Sequence, residues 1–140
     1  MHSSFEQELQ THGKLVYRNR GTSMLPMLRQ NRDLVVIEPI GKKTIERYDV
    51  VFYRYGDKYF LHRVIKVLPN GFVICGDHNR KQDPVVLQEQ ILGILTSFIR
   101  NGREITVQSL SYRFYSRIWA NGIIPARILI YKAARILIKR

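Results

Sequence analysis

The chain has 140 residues, a formal net charge of +12 and a hydrophobic share of 45%, which excludes a disordered polyelectrolyte and fits one domain with a real core. Its one cysteine, Cys75, excludes an intramolecular disulfide. No uncharged apolar run approaches the roughly 18 residues of a bilayer-spanning helix, while the cationic excess points to an anionic partner such as phospholipid, nucleic acid or an acidic peptide.

In chain order, Ser3 to Leu9 is expected to open a short helix, with Ser3 as N-cap and Glu6 as its capping-box partner. Glu6 and Glu8, and the lack of a long apolar run among the first residues, argue against a secretory leader there. Lys14 to Tyr17 reads as a weak strand, followed by the polar-to-apolar loop Arg20-Gly21-Thr22-Ser23-Met24-Leu25-Pro26. The β-branched runs Asp33–Glu38 and Asp49–Arg54 read as strands. Gly56-Asp57 turns the chain into the strand Lys58–Leu68, and Pro69-Asn70-Gly71 turns it again into Phe72–Cys75. Cys75 is expected to be a buried small hydrophobe. A polar loop from Gly76 to Pro84 interrupts the pattern before two further strands, Ile91–Ile99 and Glu104–Val107, joined at Asn101-Gly102.

From Ser111 onward the chain holds seven Lys or Arg and no acidic residue. A short helix over Tyr112–Trp119, broken at Asn121-Gly122, precedes a basic amphipathic helix starting near Pro125, in which Arg127, Arg135 and Lys139 recur at multiples of four with Lys132 close to the same stripe. The division expected is a mainly β domain over residues 1–110 and a basic helical tail over 111–140.

Three blocks carry chemistry. A serine hydroxyl such as that of Ser23 is a poor nucleophile until a base and oxyanion donors surround it. Gly21 permits a tight turn beside it and Pro26 stiffens the loop exit; an ordinary turn with Met24 tucked inside would read the same way. His62, in the strand Leu61-His62-Arg63-Val64-Ile65, offers an imidazole suited to taking that proton, although a strand histidine is more often structural. In the third block, Asp77 and Asp83 could each hold an imidazole in one tautomer. His78 and Lys81 share that loop, but no set of ligands at metal spacing accompanies them, so neither a metal nor another cofactor is expected.

Together, Gly21-Thr22-Ser23-Met24-Leu25-Pro26, Asp49-Val50-Val51-Phe52, His62-Arg63-Val64-Ile65 and Gly76-Asp77-His78-Asn79 resemble, in order and spacing, the motifs of the signal peptidase family and its relatives, the self-cleaving repressor-type serine peptidases. The resemblance covers about residues 20 to 95. It implies a folded β-sheet domain, a Ser23 nucleophile and, because His62 stands where most bacterial members carry lysine, the Ser/His branch of the family. In that branch the helper acid lies six residues beyond the first Asp of the loop, which implies Asp83, with Asp77 as the alternative. The oxyanion site implied draws on the Ser23 N–H, with Thr22 as the second candidate, within a loop shaped by Gly21, Met24 and Pro26; Gly21 stands where some members have a helpful serine. The family's N-terminal membrane helix and large β insert have no counterpart in these residues.

The function implied is an endopeptidase acting on an extended precursor or leader segment, bound as an added strand. Residues 123–140 would contact an anionic membrane surface, making the protein peripheral on an unspecified side, with a cytoplasmic location as the alternative. A self-cleaving or peptide-maturing regulator, or an inactive binding relative, is the competing reading. Ala133-Ala134 is the one Ala-Ala pair available for self-cleavage. Nucleic acid is not expected, because neither a helix-turn-helix nor an aromatic-studded sheet motif accompanies the basic tail.

Overall fold

The computed structural model describes residues 4–138. The expected cap at Ser3 and the end of the basic stripe at Lys139 and Arg140 lie outside the described residues. The elements are α1 (Ser4–His12), β1 (Leu15–Arg18), β2 (Asp33–Glu38), β3 (Val50–Tyr55), β4 (Lys58–Leu68), β5 (Gly71–Cys75), β6 (Ile91–Arg100), β7 (Arg103–Thr106), α2 (Leu110–Ile118) and α3 (Ile124–Ile138). The architecture is mainly an antiparallel β-sheet with a C-terminal helix.

All seven strands join one sheet in the order β1-β2-β6-β3-β4-β5, with β7 also paired to β6. Ile94 of β6 faces both Glu38 of β2 and Val51 of β3, while Ser97 to Arg100 pair with β2 on one edge and β7 on the other. β3 and β7 therefore lie end to end along one edge of β6. Tight turns set the hairpin registers. Asn101 and Gly102 both take positive φ, 52° and 77°, as a two-residue hairpin connection of the primed type requires. Register shifts at Val36/Ile37, Phe52/Tyr53 and Val64/Lys66 bend the strands and strengthen the twist.

Both faces of the central strands are covered. Val50 and Phe52 join Leu15, Met24, Leu28, Val35, Ile37 and Leu95 in one core, whereas Val51 and Tyr53 join Ile45, Val64, Phe72, Ile74 and Val86 in a second. That is why four consecutive residues of β3 are buried without alternation.

The tail departs from the expectation of a break. Asn121-Gly122 lies inside a π-helical turn, Trp119–Ile123, closed by the Ile124 N–H donating to the Trp119 carbonyl, so α2 runs into α3 without interruption. The wider turn keeps Ser116, Ala120 and Ile124, spaced by four, buried along one side. Ser109 caps α2 by accepting from the Tyr112 N–H at 3.3 Å, and Tyr112 packs into the first core.

Candidate active site

The serine loop leaves β1 at Asn19 and is pinned from below and from the side. Met24, Met27 and Leu28 are buried in the first core. Gly21 takes φ 77°, in the left-handed region glycine enters freely, and the Leu25-Pro26 bond is cis. From the side, the Ser23 carbonyl accepts from the His78 N–H at 2.8 Å. A Cβ at Gly76 would sit 2.6 Å from that carbonyl oxygen, so the approach of the two loops depends on glycine there. Thr22 is exposed, and its carbonyl accepts from the Leu25 N–H at 3.1 Å, closing the turn around Ser23.

His62 is buried on β4 opposite Val51. Its Nδ1 lies 2.6 Å from Asp83 Oδ2. The same carboxylate oxygen accepts from the Tyr53 hydroxyl, which lies 3.3 Å from His62 Nδ1. Burial pushes the Tyr53 phenol well above its ordinary range and the adjacent Asp83 pushes it further, so it remains a donor. Asp83 is held in turn by its backbone N–H, which donates to the Ile74 carbonyl at 2.8 Å. With Nδ1 facing the carboxylate, the proton belongs on Nδ1 and the lone pair on Nε2.

Ser23 and His62 line one cleft of about 360 Å³, together with Tyr17, Asn19, Met24 and Phe60. Among the described residues no hydrogen bond joins Ser23 Oγ to His62; what they share is the cleft wall.

The two candidate acids separate cleanly. Asp83 meets His62, whereas Asp77 is fully buried against Arg63, with Arg63 Nε donating to Oδ1 at 2.7 Å and Nη2 to Oδ2 at 2.9 Å. Tyr115 Oη also donates to Asp77 Oδ2 at 2.8 Å, and Trp119 Nε1 and Arg127 Nη1 donate to the Asp77 carbonyl at 3.0 and 3.1 Å. Burial works against the Arg63 charge, but Asp77 and Tyr112 outweigh it and hold the guanidinium firmly protonated. His78 and Lys81 are exposed, and among the described residues no group of His, Cys, Asp or Glu could hold a metal. Cys75 is buried, and burial together with the Asp83 and Asp77 charges raises its thiol to about 12, so it is no nucleophile at neutral pH.

Two site residues have no motif in the sequence. Tyr53 could have been found from the hairpin: with Gly56-Asp57 as a two-residue turn, Tyr53 pairs with Phe60 and Val51 with His62, so 53 and 62 share a face. Asn19 is buried, and its Nδ2 is the one buried side-chain polar atom without a hydrogen-bond partner among the described residues. No periodicity marks it. No protein-family model matches this chain, and no curated protein matches it either.

Proposed function

We propose that the protein is a serine endopeptidase of the signal-peptidase type, with Ser23 as nucleophile, His62 as general base and Asp83 as the acid that orients it. One observation carries the reading: a buried imidazole held by a carboxylate at 2.6 Å through Nδ1, in the wall of the cleft that Ser23 also lines. His62 Nε2 takes the Ser23 proton as Oγ attacks the scissile carbonyl, and the imidazolium that forms is stabilised by Asp83. The proton then passes to the leaving amine as the tetrahedral adduct collapses, and a water repeats the sequence to release the acyl product. The Ser23 N–H is the donor for the oxyanion, in place of the hydroxyl that Gly21 lacks, and Asn19, in the wall of the same cleft, is the second candidate once its buried amide turns into the cleft.

The substrate is a precursor or leader segment in extended form. β1 ends the sheet and its Tyr17 and Arg18 border the cleft, so an added strand can be led to Ser23. Self-cleavage at Ala133-Ala134 is less favoured, because both residues lie within α3 and must unwind before either can bind as a strand.

The test is cleavage of a panel of leader-type peptides, with fluorophosphonate labelling in parallel. Ser23→Ala and His62→Ala are expected to lose about 10³-fold or more in kcat/KM, and Ser23→Ala alone to abolish labelling. Asn19→Ala is expected to lose about 10²–10³-fold, the usual effect of one oxyanion donor. Peptide cleavage that survives both Ser23→Ala and His62→Ala would overturn the assignment.

A further inference from the structure

The continuous helix from Leu110 to Ile138 buries one side and leaves the other bare. Tyr112, Ser116, Ala120 and Ile124 are buried and Arg127, Ile128 and Tyr131 half-buried. Facing away are Leu110, Phe114, Ile118, Leu129, Ile136 and Leu137, between 42% and 81% exposed. Gly122, Ala126 and Ala133, also exposed, bridge the large side chains. An ordinary helix with the same spacing would carry these residues around its axis; the π turn at Trp119–Ile123 holds the stripes of α2 and α3 on one side. The result is an apolar strip roughly 40 Å long at 1.5 Å per residue.

The residues flanking this strip are basic. Arg113 and Arg117 border its first half and Lys132 its second, while Arg135 lies over the Tyr131 ring on the other side; from Ser111 to the end of the chain the sequence has seven cations and no acidic residue. That charge decides among occupants. A second copy of the chain would bring cations against cations, which disfavours association. Nucleic acid would leave the exposed Leu and Ile side chains unburied. An anionic bilayer satisfies both halves of the pattern, since apolar side chains enter the acyl boundary while arginines and lysines meet headgroup phosphates. No helix among the described residues is long and apolar enough to cross a membrane, so the contact is one of lying on the surface.

We infer that α2, the π turn and α3 together form a single interfacial helix that docks the protein on anionic phospholipid. This does not depend on whether Ser23 cleaves anything. It does attach to the site, because Arg127 donates to the Asp77 carbonyl and Arg80 lies over the Tyr131 ring, joining α3 to the loop that carries Asp83.

The experiment is co-sedimentation of the full chain with vesicles of phosphatidylcholine alone or with about one third phosphatidylglycerol, at low and at 0.5 M salt (a Debye length of roughly 4 Å). Binding is expected to be at least tenfold stronger on the anionic vesicles and to weaken in high salt. Leu129→Ser/Leu137→Ser should lower it tenfold or more, and Phe114→Ser alone severalfold, whereas Val67→Ser, at an exposed position on β4, should leave it unchanged. These positions are at the surface, and far-ultraviolet circular dichroism and Tm are expected to be unaltered. Equal binding to neutral vesicles, or no effect of Phe114→Ser, overturns the proposal. So does a concentration-dependent dimer in sedimentation equilibrium that the same serine substitutions dissolve while vesicle binding is absent, since that would make a second copy the occupant.

Discussion

Asp83 receives two donors on one oxygen, and they differ in what they contribute. The His62 Nδ1–H bond fixes the tautomer, while the Tyr53 hydroxyl, 3.3 Å from that nitrogen, holds the same carboxylate oxygen in place. Removing a hydrogen bond to a charged group costs about 1.5–3 kcal/mol, and roughly 1.4 kcal/mol is tenfold in rate. Tyr53→Phe is therefore expected to lower kcat/KM by about ten- to a hundredfold with the stereochemistry of the site preserved. Asp83→Asn, which favours the wrong tautomer, is expected to lower it by about 10³-fold or more. Kinetics of both variants on one peptide check the order; equal losses would mean that Tyr53 does more than position the acid.

At the level of elements, the site is an encounter between two loops and a strand, and its tolerance is set where they touch. A methyl group at Gly76 would lie 2.6 Å from the Ser23 carbonyl oxygen and 2.7 Å from Asn79 Nδ2. Gly76→Ala must therefore displace the Ser23 backbone from its present position. The expected outcome is a folded protein with stability lowered by about 1–3 kcal/mol and kcat/KM lowered about 10²-fold or more, since small misplacement of a nucleophile is enough for that. Denaturant melts and peptide kinetics on the same sample measure both. A second junction lies where the serine loop enters β2. Buried Asp33 accepts from the Arg29 N–H at 2.7 Å and from the Arg32 and Arg100 side chains, and these bonds outweigh the opposing effect of burial, so its carboxyl sits below the usual range. A depressed carboxyl stabilises the fold fully above its unfolded value, near 3.9, and loses that contribution as pH falls through the folded value. Asp49, raised chiefly by burial, contributes with the opposite sign. Urea melts at pH 7 and pH 3 should therefore show a smaller acid-induced loss in Asp33→Asn than in the unaltered chain; an unchanged difference would remove Asp33 from the account.

At the scale of the whole molecule, one buried ion pair ties three parts together. Arg63 belongs to β4 and Asp77 to the loop after β5, while Tyr115 and Trp119 bring the C-terminal helix to the same carboxylate and carbonyl. Asp77→Ala leaves a guanidinium buried without its partner, which costs about 3–5 kcal/mol, and urea unfolding should show it. The joint variant Arg63→Met/Asp77→Leu should lose less than Asp77→Ala alone, because no charge is then stranded. A joint loss as large as the sum of the single losses would show that packing, and not charge pairing, is what matters there.

Much of this molecule can be read along the chain. The strands fall within a residue or two of the β-branched runs because turn residues such as Gly56-Asp57 and Asn101-Gly102 bound them, and local sterics set those limits without help from the rest of the fold. The roster of Ser23, His62, Asp77 and Asp83 is likewise local, a matter of which side chains can carry or hold a proton. Their division of labour is not local. Asp77 and Asp83 are equivalent as side chains; the family resemblance points to Asp83, and the packed structure sets Asp77 against the fully buried Arg63 and Asp83 against the buried His62. Tyr53 and Asn19 were likewise found only in the packed sheet, Tyr53 by its bond to Asp83 and Asn19 by its burial with an unpartnered side-chain amide. In the tail, charge and period announced a basic helix with an apolar side. Which way that side points, and that Asn121-Gly122 bends through a π turn without breaking it, was settled by what Tyr112, Ser116, Ala120 and Ile124 had to bury.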